Sequence, residues 1–258
     1  MKFSVTVGAF GDGRDPRGLG ELARVAEESG WDGVFLEDYL VYQGDSSQAT
    51  YEPWVCLAGM AVATSRIRIG MTVTPLPRRH PWQVAAEAVA IDQLSGGRMI
   101  LGVGIGDPGD PFVPRGEPRV LAEMLDEGLE LIDRLWSGQP VTFSGKHYTV
   151  EGAQLTARPV QRPRIPIWVG GNFLVPGVRR RILRWDGSCA YKGSTDAPQQ
   201  VTPDDVLRLL GDGVADVKVS GGDPAAFARA GATWWGRWIA PMSFADTVAI
   251  VRQGPPRI

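Results

Sequence analysis

The sequence predicts an α/β fold, a single (β/α)8 TIM barrel, and three observations carry that prediction. Short β-branched runs alternate with longer helical patterns along the whole chain, eight of each. The length, 258 residues, suits such a barrel, which needs about 250. No linker, low-complexity tract or charge block divides the chain, so 1–258 is read as one domain.

The elements follow in order. "KFSVTVGAF" (2–10) reads as a strand, and a helix follows with Asp15 as its N-cap and Pro16 at its first position. "DGVFLEDYL" (32–40) is the second strand, with "EPWVCLAGMAVATS" its helix. "RIRIGMTVTPL" (66–76) is the third, followed by a helix from Pro81 to about Leu94. "RMILGVGIG" (98–106) is the fourth; its helix places Leu121, Leu125, Ile132 and Trp136 on one face and Glu123, Asp126 and Glu130 away from it. Residues 139–164 alternate like a β-hairpin with a Ser-Gly turn and read as an insertion between helix 4 and strand 5. The rhythm then resumes with "IPIWVGG" (165–171), "GSCAYKG" (187–193), "ADVKVSGG" (215–222) and "ATWWGRWIA" (232–240). Thr202-Pro203-Asp204-Asp205, Asp223-Pro224 and the capping-box spacing from Ser243 to Asp246 open the intervening helices.

Composition excludes several classes. A net charge of −2 and a pI near 5.8 leave no footprint for nucleic acid or an anionic membrane. The basic run 179–181 reads as a solvated helix turn. Cys56 and Cys189 sit singly in apolar runs and read as buried, inert thiols. With His80 and His147 the only histidines, no metal site is expected. His80 reads as a loop anchor and His147 as remote from chemistry. The first residues are too soon broken by glycine for a signal peptide, and no apolar run approaches a membrane span. The expected location is cytoplasmic.

Gly104-Ile105-Gly106-Asp107-Pro108-Gly109 matches the G-x-G-x-x-G spacing of a dinucleotide loop. That motif needs a helix opening within it, whereas "DPGDPFVPRGEP" follows, with four prolines. The match is accidental. In a barrel the chemistry gathers at the C-terminal ends of the strands. Those ends supply Glu37-Asp38-Tyr39, Thr72-Val73-Thr74, Gly104 to Asp107, Gly170-Gly171-Asn172, Tyr191-Lys192, Ser220 to Gly222 and Trp234-Trp235. They are poor in nucleophiles and metal ligands, but hold aromatics, hydroxyls and acids. Such a set suits a flat organic cofactor that carries the reactivity itself. Bland readings stand beside these: Asp107 as a turn cap before Pro108, Glu37 and Asp38 as partners of rim arginines, and one of Trp234 and Trp235 as core.

"IDQLSGGRMILGVGIG" and "RPVQRPRIPIWVGG" resemble the two most recognisable segments of the luciferase-like flavin-dependent oxidoreductases, and "FLEDYL", "GMTVTPLPRRHPWQVAAEAVAIDQLSGGR" and "RWDG" are also similar, in the right order. The resemblance implies a (β/α)8 barrel that binds FMN or the deazaflavin coenzyme F-420. It implies a small organic substrate, with or without oxygen, and a homodimer; with FMN, a separate flavin reductase is the expected partner. By position it places Thr72, Val73 and Thr74 at a bulge, often with a cis peptide, behind the cofactor ring. Gly104 and Gly106 would clear space beside that ring, and Gly170, Gly171 and Asn172 would bind its phosphate through backbone amides. Asp107 falls where some relatives carry an acidic proton donor. Tyr39, after Asp38, stands where many have histidine, so Asp107, Tyr39 and Asp38 are the catalytic candidates. Lys192 and Trp234 are the substrate-side candidates, and 107–119 is a candidate lid. Two other readings remain open: a cofactor-free lyase or isomerase using Lys192 or Lys218, and an inactive ligand-binding barrel.

Overall fold

The computed structural model describes every residue except Gln43, Ala190 and 194–197, together with all side chains but those and that of Pro198. Eight parallel strands close into a barrel: β1 (Lys2–Gly8), β2 (Gly33–Glu37), β3 (Arg68–Pro75), β4 (Met99–Gly104), β7 (Ile167–Val169), β8 (Gly187–Ser188), β11 (Asp216–Ser220) and β12 (Trp234–Trp238). Eight helices surround it among the described residues: α1 (Pro16–Glu28), α2 (Pro53–Ala63), α3 (Pro81–Ser95), α4 (Pro118–Trp136), α5 (Pro176–Arg184), α6 (Pro203–Gly211), α7 (Pro224–Arg229) and α8 (Phe244–Arg252). All but α8 open on a proline, whose missing N–H and fixed φ suit the first helical position and sharpen each turn off the strand ends. The insertion is a two-stranded antiparallel hairpin of β5 (Val141–Ser144) and β6 (Thr149–Ala153). No helix of the described chain is long and apolar enough to cross a membrane.

Strand periodicity decides where the cavity can lie. Phe35, Ile100, Trp168 and Trp234 point inward and pack together, the Trp168 and Trp234 rings 5.5 Å apart, and they plug the barrel. Side chains alternate along a strand, so the next inward positions lie two residues on. Those positions are Glu37, Gly102, Gly170 and Gly236. Three of four have no side chain, and the barrel opens above the plug. The outward residues of the same strands, Val34, Leu36, Leu101 and Val169 among them, join the helices in the main core.

Three expectations are corrected. The sixth strand, expected over 187–193, stops at Ser188; Lys192–Gly193 (β9) instead pairs antiparallel with Pro198–Gln199 (β10) in a separate ribbon. Trp234 is 1% exposed inside the plug, beneath the cavity, and is core rather than a substrate contact. Arg181, within the basic run read as solvated, is buried and bound to both oxygens of Asp126 at 2.6 and 2.8 Å, fixing α5 to α4. The G-x-G-x-x-G match indeed leads into a helix-free loop, with α4 starting only at Pro118.

Candidate functional site

A cavity of about 840 Å³ opens at the C-terminal ends of the strands. One wall is built by a β3 bulge. The register between β3 and β4 shifts between Met71 and Thr74, and the Thr72–Val73 peptide is cis. Thr72 and Val73 line the cavity; Thr74 is fully buried and lies outside its lining. Val73 explains two of the glycines. A Cβ on Gly104 would stand 3.0 Å from Val73 Cγ2, and one on Gly170 would stand 2.6 Å from Val73 Cγ1. These two therefore make room for Val73, and only through it for anything bound. Gly106 has φ +97° and would place a Cβ 2.6 Å from Val113, so backbone and packing both demand glycine there.

One strand along, past β4, the wall continues from β7 into the opening turn of α5. Gly170, Gly171, Asn172, Gly177 and Val178 line it. Val175, the N-cap, offers no side-chain acceptor, so the first-turn amides are left without a side-chain cap. Asn172 Oδ1 accepts the Leu174 amide at 3.1 Å, so its side chain shapes the turn. Such a turn suits an anion.

Two of the three acidic and phenolic candidates meet. Tyr39 donates its phenol to Asp107 Oδ2 at 2.7 Å. Asp107 Oδ1 accepts the Gly109 amide at 2.8 Å, so one carboxylate both caps the turn and engages the cavity. Burial first, then the bond to Asp107 and its charge, push the Tyr39 phenol far above the ordinary tyrosine range. It is a donor and no base.

Asp38 has a structural role. It is 3% exposed and bound by Arg78 and by Arg79 at 2.8 and 2.9 Å, with the Trp54 indole N–H at 3.3 Å. Arg78 also pairs with Asp110, and Arg79 with Glu52. This network ties the end of β2 to the segment leading into α3, and the Asp38 carboxylate is committed to cations rather than to proton transfer. Lys192 is likewise committed: its Nζ is 3.0 Å from Asp205 Oδ2, and it lies outside the cavity lining. The chain displacement in β9 removes it from the rim position expected of it.

Glu37 and Cys189 line the cavity and were not among the candidate site residues. Glu37 Oε2 is buried and makes no hydrogen bond. Burial raises its pKa above the ordinary glutamate value, and a hydrogen bond from the Trp238 indole and the charges of Lys218 and Arg14 oppose the rise. Period-two alternation from Phe35 places Glu37 inward and Asp38 off the axis, a signal present in "VFLED". Burial likewise pushes the Cys189 thiol up to about 11, so this wall residue is inert although it is not sealed in the core. His147, on the hairpin, contacts Glu123 of the outer wall at 3.3 Å, while His80 stacks on Trp82 away from the cavity.

Comparison with known proteins agrees with this geometry. The F420-dependent glucose-6-phosphate dehydrogenase of Nakamurella multipartita is 35% identical over 208 residues, 77% of this chain and 58% of that protein. The F420-dependent hydroxymycolic acid dehydrogenase of Mycobacterium tuberculosis is 32% identical over 157 residues, covering 58% and 42%. The chain spans about half the length of the curated relatives it matches. Among solved structures, an F420-dependent secondary alcohol dehydrogenase bound to an F420-acetone adduct superposes with a TM-score of 0.78 at 15% identity, over 99% of this chain and 98% of that one. The coenzyme F420 dependent tetrahydromethanopterin reductase of Methanopyrus kandleri gives 0.73 at 18% identity, over 98% of both; at such identities the likeness shows the fold. Residues 1–192 match the family model for luciferase-like monooxygenases, and the chain belongs to that family.

Proposed function

We propose that the chain is a deazaflavin-dependent oxidoreductase that interconverts an alcohol and a carbonyl compound. The carrying observation is the cavity itself: a wall backed by Val73, an uncapped helix turn at one side, and buried polar atoms awaiting partners, Thr72 Oγ1 and Glu37 Oε2. A flat, phosphate-bearing coenzyme fits this set, with its ring against Thr72 and Val73 and its phosphate at Gly177 and Val178. When bound, coenzyme F-420 supplies a carbon that accepts or returns hydride. Its choice over FMN is supported by the F420-dependent relatives.

The chain's own residues then do three things. The Val73 wall holds the ring at one height. The Arg78, Arg79 and Asp38 network fixes the end of β2, and with it Tyr39. Tyr39, its one proton held by Asp107, presents its phenol oxygen to the cavity as an acceptor for a substrate hydroxyl. A homodimer is part of the proposal, supported by α2, which is apolar on every side yet leaves Val55 and Val62 exposed. A cytoplasmic location is supported by the unpaired Cys56 and Cys189.

Fluorescence titration with coenzyme F-420, and with oxidised and photoreduced FMN, tests the reading. Selective binding of F-420 is expected. Preference for reduced FMN, followed by oxygen uptake, would instead make the chain a monooxygenase dependent on a separate flavin reductase.

A further inference from the structure

Six carboxylates line the cavity, and five are already committed. Asp38 is held by Arg78 and Arg79, and Asp110 by Arg78 and the Phe112 amide. Asp107 accepts from Tyr39 and Gly109; Glu123 is engaged by Lys146, His147 and Arg119. Asp126 is gripped by Arg181. The oxygens of these five are occupied by donors of the chain itself. Glu37 differs: it lies on the cavity wall with a buried oxygen that no donor reaches within hydrogen-bonding distance.

We propose that Glu37 is the group that takes a proton from the substrate hydroxyl, and returns it to a carbonyl oxygen in the reverse direction. This rests on the alcohol–carbonyl reading above. In the oxidising direction the substrate O–H bond breaks and its proton bonds to the Glu37 carboxylate. The electron pair left on oxygen becomes the second C–O bond as hydride leaves the carbon for a deazaflavin oxidant. The alcohol is oxidised and the deazaflavin reduced. Tyr39 keeps its proton throughout, donated to Asp107, and only its phenol oxygen faces the cavity, as an acceptor.

The surroundings of Glu37 support this use. The groups facing it are Arg14 from the loop before α1, Lys218 from β11, the Trp238 indole from β12, and the Tyr39 and Tyr42 phenols that follow β2. Neither cation forms an ion pair with it. Arg14 is spent on the Gly8 and Met242 carbonyls and on the Thr247 hydroxyl at 2.7 Å, and Lys218 reaches Thr6 Oγ1 at 3.4 Å and lies over the Phe35 ring at 5.7 Å. They act at a distance, favouring the anion without locking it. Burial opposes them and favours the neutral acid. Burial brings the neutral acid closer to reach than in an exposed glutamate, and the open Oε2 leaves a place on the cavity wall for the proton.

Glu37→Gln, Glu37→Asp and Asp107→Asn are compared with the wild type. Infrared spectra across a pH series follow the carbonyl stretch of protonated carboxyl groups, and fluorescence gives the affinity for coenzyme F-420. Turnover is measured on a panel of simple secondary alcohols. Glu37→Gln is expected to bind the coenzyme as the wild type does, lose a protonated-carboxyl band that persists above the ordinary glutamate range, and lower kcat about a hundredfold. Glu37→Asp is expected to recover part of the rate. Unchanged kcat in Glu37→Gln, with its collapse in Asp107→Asn, would overturn the assignment and move the proton to Asp107. If the wild type binds no coenzyme, the deazaflavin reading falls. The infrared band still decides Glu37: its absence from the wild type overturns the proposal, and its presence, lost in Glu37→Gln, sustains it.

Discussion

The phenol of Tyr39 and the carboxylate of Asp107 are joined by a 2.7 Å hydrogen bond that links the end of β2 to the loop after β4. Removing its donor should separate stability from turnover. Tyr39→Phe is expected to cost about 1 kcal/mol, the net worth of one such bond, as read by urea denaturation. Its effect on turnover should be larger, raising KM and lowering kcat together, since it removes the phenol oxygen from the cavity and leaves Asp107 without its donor. A variant as active as wild type would remove Tyr39 from the site.

Asp38 holds two arginines with its side chain sealed from solvent. Asp38→Ala leaves Arg78 and Arg79 buried with part of their compensation gone. The expected loss is about 3–5 kcal/mol, measured as a drop in the urea midpoint. Coenzyme affinity should fall with it if the β2 end is disordered. A loss below about 1 kcal/mol would mean that Asp110 and Glu52 alone satisfy the pair.

Val73 and Gly170 should show strong coupling. Gly170→Ala forces a methyl group to 2.6 Å from Val73 and is expected to destabilise by about 1–3 kcal/mol, with loss of cofactor binding. Val73→Ala in the same chain should restore much of both. The coupling energy of the double-mutant cycle is the readout, and strict additivity would show that the two side chains do not compete for the same space.

Glu37 carries a sign that thermodynamics can check. Burial raises its pKa in the folded state, so the folded chain keeps a proton that the unfolded chain gives up. Stability contributed this way is complete below the ordinary glutamate range and falls as pH rises through the folded value. Glu37→Gln should flatten that part of the profile of urea midpoint against pH. An unchanged slope would place the titration elsewhere.

The two thiols should differ in their labelling. Cys189 lines the cavity with its pKa pushed up to about 11, so thiolate is scarce at neutral pH and alkylation should be slow, accelerating about tenfold per pH unit. Bound cofactor should block it. Cys56, fully buried and pushed up to about 12, should label only on unfolding. Mass spectrometry after iodoacetamide, with and without coenzyme F-420, distinguishes them.

Much of the barrel is legible in the sequence because its signals are local. Proline at the first helical position, caps such as Asp15 and Thr202, and β-branched runs such as "VTV" act over a few residues. The short sixth strand is not legible: "GSCAYKG" has strand composition throughout, yet Gly187 and Ser188 alone pair with barrel strands on both sides, while Cys189 and Tyr191 bond to the β7 side through Val169 and Gly171. Site residues split in the same way. Tyr39 and Asp107 could be singled out from strand ends, but their bond spans 68 positions. The roles of Asp38 and Lys192 depended on Arg78, Arg79 and Asp205, partners that only the folded chain identifies. Glu37 was readable by counting two from Phe35, and Asp38 drew attention from it because an acid beside Tyr39 looks catalytic in isolation.

The aromatic plug has a consequence for how such a protein can change. Phe35, Trp168 and Trp234 fill the barrel to one level, and the floor of the cavity lies at Glu37 and Cys189 immediately above. Depth is therefore set by packing shared among strands on opposite sides of the barrel, where one altered ring disturbs the others. Width is set by the loops overhead. A lineage built on this plan can widen or narrow its intake by loop exchange while the reacting centre stays at the same height, so breadth of substrate and placement of chemistry are separately heritable.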